Sequence, residues 1–192
     1  IAPTMNLEQE FESLQRLSNE AKRAQAHLDA LQEILEYADA LGFLLEFGSF
    51  YRLVELDMKE NQLIIDVMLN LDEVVCSTTY ALQKDGLELK EKNMSDSDYH
   101  LLQQDYCCSL ALRVARELLD FSACLESVAI RCYRMEVDTA SGRDRESKIM
   151  AVGVERNWLQ SVDLDRLDPS DAVCSLEHEM SFTQKHGFAS LN

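Results

Sequence analysis

Three residues of this sequence have the types and spacing for metal-assisted hydrolysis. Asp66 falls in an apolar run that reads as a strand, and Glu88-Leu89-Lys90 sets a carboxylate and an ammonium two residues apart on a later one. Side chains at i and i+2 of a strand share a face. Two carboxylates holding Mg²⁺, with a lysine assisting the attacking water, can hydrolyse a phosphodiester. Several features weigh against this chemistry. The E-x-K spacing is common in charged strands, and here it follows Asp85-Gly86, a turn signal that predicts an exposed position. A coiled-coil-like segment also stands where such a site has its usual preceding helix. Lys and Arg total 18 against 35 for Asp and Glu, a net charge of -17. Attraction to phosphates needs a basic face, and none is legible.

Other chemistries have less to stand on. Glu177-His178-Glu179 with His186 lacks the H-E-x-x-H spacing that puts two histidines on one helical face, and it reads as a solvated helix end. His27 and His100 are isolated. There is no G-x-S-x-G elbow, and the six glycines are spread singly, which argues against a phosphate-binding loop. No cofactor and no metal are expected. Mimicry of nucleic acid fits the net charge, but the acid excess is spread through helix and loops rather than gathered. The six cysteines are Cys76, Cys107, Cys108, Cys124, Cys132 and Cys174, with no C-x-x-C among them. Set among apolar residues, they are expected to be reduced, buried thiols.

The elements that would position any site begin with a heptad repeat. With Leu7 at a, the a positions are Leu7, Leu14, Ala21, Leu28 and Leu35, and the d positions Glu10, Leu17, Ala24, Leu31 and Ala38. Nine of these ten are apolar, and neither Pro nor Gly interrupts from Met5 to Leu41. That is the narrow seam of a coiled coil. A helix of this length spans about 52 Å, whereas a body of the remaining residues has a radius of gyration of about 15 Å. The helix is expected to overhang its own body and to need a partner helix, from a second copy or another protein.

Downstream the period changes. Phe50–Met58 and Gln62–Asn70 read as a strand pair, and Ser77–Gln83 with Leu87–Lys92 as a second. Ser95 with Asp98 predicts a helix start, and the helix is expected to bury Tyr99, Leu102, Tyr106, Leu110, Val114, Leu118 and Phe121. Arg113 and Arg116 interrupt that helix near Glu117 and Asp120, a spacing that predicts ion pairs. Glu126–Val137 and Glu146–Val154 read as strands around a polar loop, Glu155–Ser161 as a short helix carrying Trp158, and Asp168-Pro169 as another helix start.

Several segments of this second part resemble a family of uncharacterised bacterial proteins. They are Asp105-Tyr106-Cys107 with Leu110 to Leu118, Thr139 to Gly142, Asp168 to Ala172 and Lys185 to Phe188, with Glu46 to Ser49 as an opening motif. In that family the module lies towards the C-terminus of a longer chain. The resemblance implies a bacterial origin and a defined fold, and lends no catalytic residue.

The sequence thus predicts an α+β fold, with a mostly antiparallel sheet packed on a central helix and a long N-terminal coiled-coil-like helix. Residues 1–45 are the assembly segment and 46–192 the globular domain. The chain has no run of 18 apolar residues and no signal-peptide pattern. It reads as a piece of a longer or processed polypeptide working in the cytoplasm, without membrane and without nucleic acid. The function expected is a non-catalytic assembly or adaptor module, homo-oligomeric or a subunit of a complex. Its partner would bind at Leu7, Leu14, Leu17, Ala21, Ala24, Leu28, Leu31, Leu35 and Ala38. The alternative is a metal-dependent nuclease-like enzyme of restriction-endonuclease type using Asp66, Glu88 and Lys90.

Overall fold

The computed structural model describes residues 12–23, 25, 26, 29, 49–57, 61–83, 86, 88–123 and 125–191. Residues 12–23 form helix α1. Strands β1 (Phe50–Asp57) and β2 (Gln62–Leu69) follow as an antiparallel pair, turned at Asn61 with φ +49°. A short helix, α2 (Leu71–Val74), leads into strands β3 (Thr78–Leu82) and β4 (Leu89–Asn93), a two-stranded ribbon of its own. Helix α3 (Asp96–Phe121) then crosses to β5 (Ser127–Asp138) and β6 (Arg143–Glu155). The chain closes with α4 (Arg156–Ser161), α5 (Pro169–Ser175), β7 (His178–Met180), β8 (Phe182–Thr183) and β9 (Gly187–Phe188). The main sheet has the order β1-β2-β5-β6-β7, antiparallel at every junction except β2 with β5. No helix of the described residues is long and apolar enough to cross a membrane.

Alternation along the strands sets which face is packed. Leu63, Ile65 and Val67 of β2, Val128, Ile130 and Cys132 of β5, and Met150, Val152 and Val154 of β6 are all buried. The register of β5 with β6 sets Cys132 beside Met150 and Ile130 beside Val152, so these residues form one continuous apolar face. Helix α3 contributes the other half of the same core, with Cys107, Leu110, Ala111, Val114, Ala115 and Leu118 buried. Ala111 and Ala115, four residues apart and fully buried, leave no bulk between that stretch of helix and what packs on it. The expected helix face is therefore right along its middle and shifted at its ends: Leu102 and Phe121 are exposed.

The ends of α3 are tied by polar chemistry. Ser95 Oγ accepts from the Asp98 backbone N–H at 3.2 Å, which caps the N-terminus. At the other end the last carbonyls would be left unpaired, because the final turn carries no basic residue. Arg156, at the start of α4, supplies the donors. Its guanidinium donates to the carbonyls of Leu119 at 2.6 Å, Ser122 at 2.7 Å and Leu125 at 2.9 Å. A cation at a helix C-terminus also complements the dipole. On the outer face Arg113–Glu117 (2.9 Å) and Arg116–Asp120 (3.6 Å) form the ion pairs expected from their spacing.

The β5–β6 hairpin is tighter than the sequence suggests, with its turn confined to Thr139–Gly142. Asp138 builds that turn, accepting from Ser141 Oγ at 2.6 Å and from the Ala140 N–H at 3.1 Å, and Gly142 takes φ +66°. A bulge between Cys132 and Tyr133 changes the β5–β6 register. Replacing Arg156 by Met removes a donor from three carbonyls, of which that of Ser122 keeps the Leu125 N–H at 3.2 Å. The substitution should cost about 2–3 kcal/mol, read as a lower urea midpoint, and Arg156→Lys should recover part of it.

Candidate functional site

The three residues of the hydrolytic reading lie on different parts of the fold. Asp66 is on β2, directly opposite Arg131 of β5, whose Nε donates to Asp66 Oδ1 at 2.7 Å. The Asp66 carboxylate is 7% exposed and Arg131 35%. A buried carboxylate held this way is compensated in charge, and losing the arginine would leave it costly to bury. Glu88 and Lys90 sit on the β3–β4 ribbon, which makes no ladder with the main sheet, and both are exposed. In the ribbon Lys90 pairs with Ala81 and Leu89 with Leu82. Among the described residues no group of three or more His, Cys, Asp or Glu is placed to hold a metal ion.

Glu177-His178-Glu179 is a strand margin rather than a helix end. His178 opens β7, its Nδ1 donating to the Leu176 carbonyl at 2.9 Å, and Glu179 takes the Lys148 ammonium at 2.8 Å. That lysine holds the Glu179 carboxyl below its ordinary range. The thiols divide. Cys107, Cys108 and Cys132 are buried as expected, whereas Cys76 and Cys174 are exposed, and Cys124 lies outside the described residues. The hydrogen bond with Cys132, together with burial, pushes the Cys107 thiol far up. Burial pushes Cys108 up to about 12. A nucleophilic or metal-binding sulfur must be a thiolate, so these two serve packing.

The feature with the geometry of a site was not legible in the sequence. A cleft of about 560 Å³ opens where β2 stops and β5 continues. Met68, Leu69 and Asn70 close one end of it, Asp72 and the buried Gln103 of α3 form one side, and Arg134 to Glu136 with Glu146 form the other. Parallel strands place their carboxyl ends together. Here the β2–β5 pair is the parallel one. Beside the cleft, the Tyr99 hydroxyl donates to Asp72 Oδ1 at 3.2 Å. Burial, then the Asp72 charge, raises the phenol above its ordinary value.

Glu136 is the electrostatic centre of this edge. Its carboxylate accepts from Arg134 Nη2 at 2.6 Å, Ser147 Oγ at 2.7 Å and Ser190 Oγ at 3.1 Å, with Arg145 Nη2 at 3.6 Å. Arg134 also reaches the Phe188 carbonyl at 3.1 Å, so the C-terminal segment is fastened to β5 here. The hydrogen bond from Ser147 leads in lowering the Glu136 carboxyl from 4.5 to about 2, with Arg134 and Ser190 adding to it against the opposing effect of burial.

The heptad positions fall partly within view. Leu14, Leu17 and Ala21 are on α1, and all three are exposed, the leucines at 65% and 61%. Leu7, Ala24, Leu28, Leu31, Leu35 and Ala38 lie outside the described residues, as does the expected boundary at 45/46.

The lowered Glu136 carboxyl has a consequence for acid stability. A depressed native value contributes stability that is present above the unfolded value near 4.5 and is lost as pH falls towards about 2. Urea unfolding of Glu136→Gln should therefore show a deficit of about 2 kcal/mol at pH 7, allowing for solvent screening, and that deficit should shrink between pH 5 and pH 2. A deficit that does not change with pH would place the loss in packing instead. No protein-family model matches the chain and no curated protein matches it.

Proposed function

We propose that this chain is a non-catalytic assembly or adaptor module of a larger bacterial protein or complex, working in the cytoplasm and associating through its N-terminal heptad helix. The observation that carries the reading is the exposure of α1. Every residue from 12 to 23 is exposed, and the a and d leucines, Leu14 and Leu17, stand at 65% and 61%. Leucines at heptad spacing are worth about 1.5–3 kcal/mol each when buried, and a seam of them is the surface that a partner helix covers. Ala21 at the next a position supports close approach of two backbones there. The reading extends the seam through residues 1–45, with 46–192 as the globular unit. The bacterial origin rests on the motif resemblance between Glu46 and Phe188.

The nuclease-like reading has weaker support. Asp66 is engaged with Arg131, while Glu88 and Lys90 are on a separate ribbon. No observation on the cleft favours phosphodiester chemistry, since its lining carries Asp72, Glu136 and Glu146, with Arg134 and the neighbouring Arg145 both engaged by Glu136.

Association through the seam makes helix stability depend on protein concentration. The helical signal of the full chain in circular dichroism should melt at a higher temperature as concentration rises. Leu17→Glu together with Leu31→Glu should abolish that dependence and leave the melting of the globular unit in place. A native chain whose melting does not depend on concentration would count against the reading.

A further inference from the structure

The main sheet has a second face that the core does not use. Ile65 of β2, Ile130 of β5 and Val152 of β6 point into the core, and helices α2 to α5 all place residues in or against that same cluster. The register sets Ile64 and Met68 of β2, Ala129 and Tyr133 of β5, and Ala151 of β6 together on the outer face. None of these five is exposed, and none belongs to the core cluster. Met68 is only 4% exposed, although every helix of the body among the described residues packs on the other side. The charges at the centre of this face, Asp66 and Arg131, pair with each other. An apolar face with small residues at its middle and a methionine buried outside the core is a face that something covers.

The segment that enters the fold at this place is complementary to it. With Leu7 at a, the c and g positions up to residue 27 are Gln9, Ser13, Arg16, Glu20, Arg23 and His27, all polar. From residue 30 they become Ala30, Ile34, Tyr37 and Leu41. These positions lie about a third of a turn round the helix from the a/d seam. They form a second apolar flank, which starts where the polar one ends. Arg16, Glu20 and Arg23 of the polar part are exposed on α1. Gly42 follows Leu41, and residues 43–48 lead to Ser49, an ordinary length for a connection between helix and strand. Ser49 is buried and its Oγ accepts from the Asn70 N–H at 3.1 Å. β1 then starts with Phe50 opposite Met68, so the chain arrives beside the buried methionine. A helix over residues 30–41 spans about 18 Å, and a sheet of five strands about 19 Å.

We propose that residues 30–41 lie as a helix across the outer face of their own chain's main sheet, with Ile34, Tyr37 and Leu41 turned onto Met68, Ala129 and Ala151. The proposal rests on reading residues 1–45 as a helix and adds what holds that helix to the body. Docking by the c/g flank leaves the a/d seam uncovered, so the body presents the seam to a partner. It also explains why the flank is polar along α1, which has passed beyond the sheet.

The test is hydrogen exchange of the full chain, read by mass spectrometry over a dilution series. A helix as short as residues 30–41 is marginal in water without tertiary contacts. Docking predicts that its amides exchange at least about ten-fold more slowly than an unfolded chain, at every concentration. Ile34→Glu with Leu41→Glu should remove that protection. Ala151→Arg, which an uncovered face would tolerate, should remove it from the sheet side while the amides of β5 and β6 stay protected. Unprotected amides at 30–41 in the native chain, or protection that survives Ala151→Arg, would overturn the proposal. Protection that appears only as concentration rises would also overturn it, in favour of cover by a second copy. Residues 7–28 report separately on the seam: if they show no dependence on concentration while 30–41 stay protected, self-association fails and the docking stands.

Discussion

A strand that lies parallel to the one before it in the sheet cannot be reached by a tight turn, so pairing β2 with β5 commits everything between Leu69 and Ser127 to a crossover. That segment contains α2, the ribbon and α3, and α3 is the element that returns across the sheet. The crossover explains the composition of its parts. Helix α3 must bury a stripe against Ile65, Val67, Ile130 and Cys132, which its Cys107–Leu110–Ala111–Val114 face does. It must also end where β5 begins. There Arg156 reaches back from the end of β6 to donate to the carbonyls of Leu119 and Ser122.

The same crossover leaves an edge. Because β2 stops at Leu69 to enter the connection, β5 outruns it by four residues, and the cleft opens beside them. Glu136 and its partners brace this overhang with polar contacts. Two arginines, Ser147 and Ser190 converge on one carboxylate, tying β5, β6 and the C-terminal segment together. The ribbon, the other excursion of the crossover, carries apolar residues into solvent. Exposed leucines on α1 and on the ribbon are the features on which the proposed assembly reading rests.

Much of the body was legible because its signals are local. Strand-like runs marked β1, β2, β5 and β6, the Ser95–Asp98 cap marked the start of α3, and Asp168 before Pro169 marked α5. The ion pairs of Arg113 and Arg116 followed from four-residue spacing alone. What could not be read depends on contacts between residues far apart in the chain. Asp66 looked like a free acid because Arg131 is 65 residues away. The cleft needs the pairing of β2 with β5, and nothing in either segment states that they are parallel. The ends of α3 were misjudged for the same reason: Leu102 and Phe121 keep the helical period but extend past the sheet that buries their neighbours. Cys76 and Cys174 were expected inside, yet apolar neighbours in sequence did not become neighbours in the core.

The central proposal is that the heptad seam joins helices, of a second copy or of another protein, and self-association is the form of it that can be tested most directly. Light scattering coupled to size-exclusion chromatography measures it most directly, on the native full chain and on the chain carrying Leu14→Glu with Leu17→Glu. The account predicts a native mass at least twice 21.9 kDa and a clear fall in the variant. A native mass of 21.9 kDa, or an oligomer whose mass the seam substitutions leave unchanged, would contradict it.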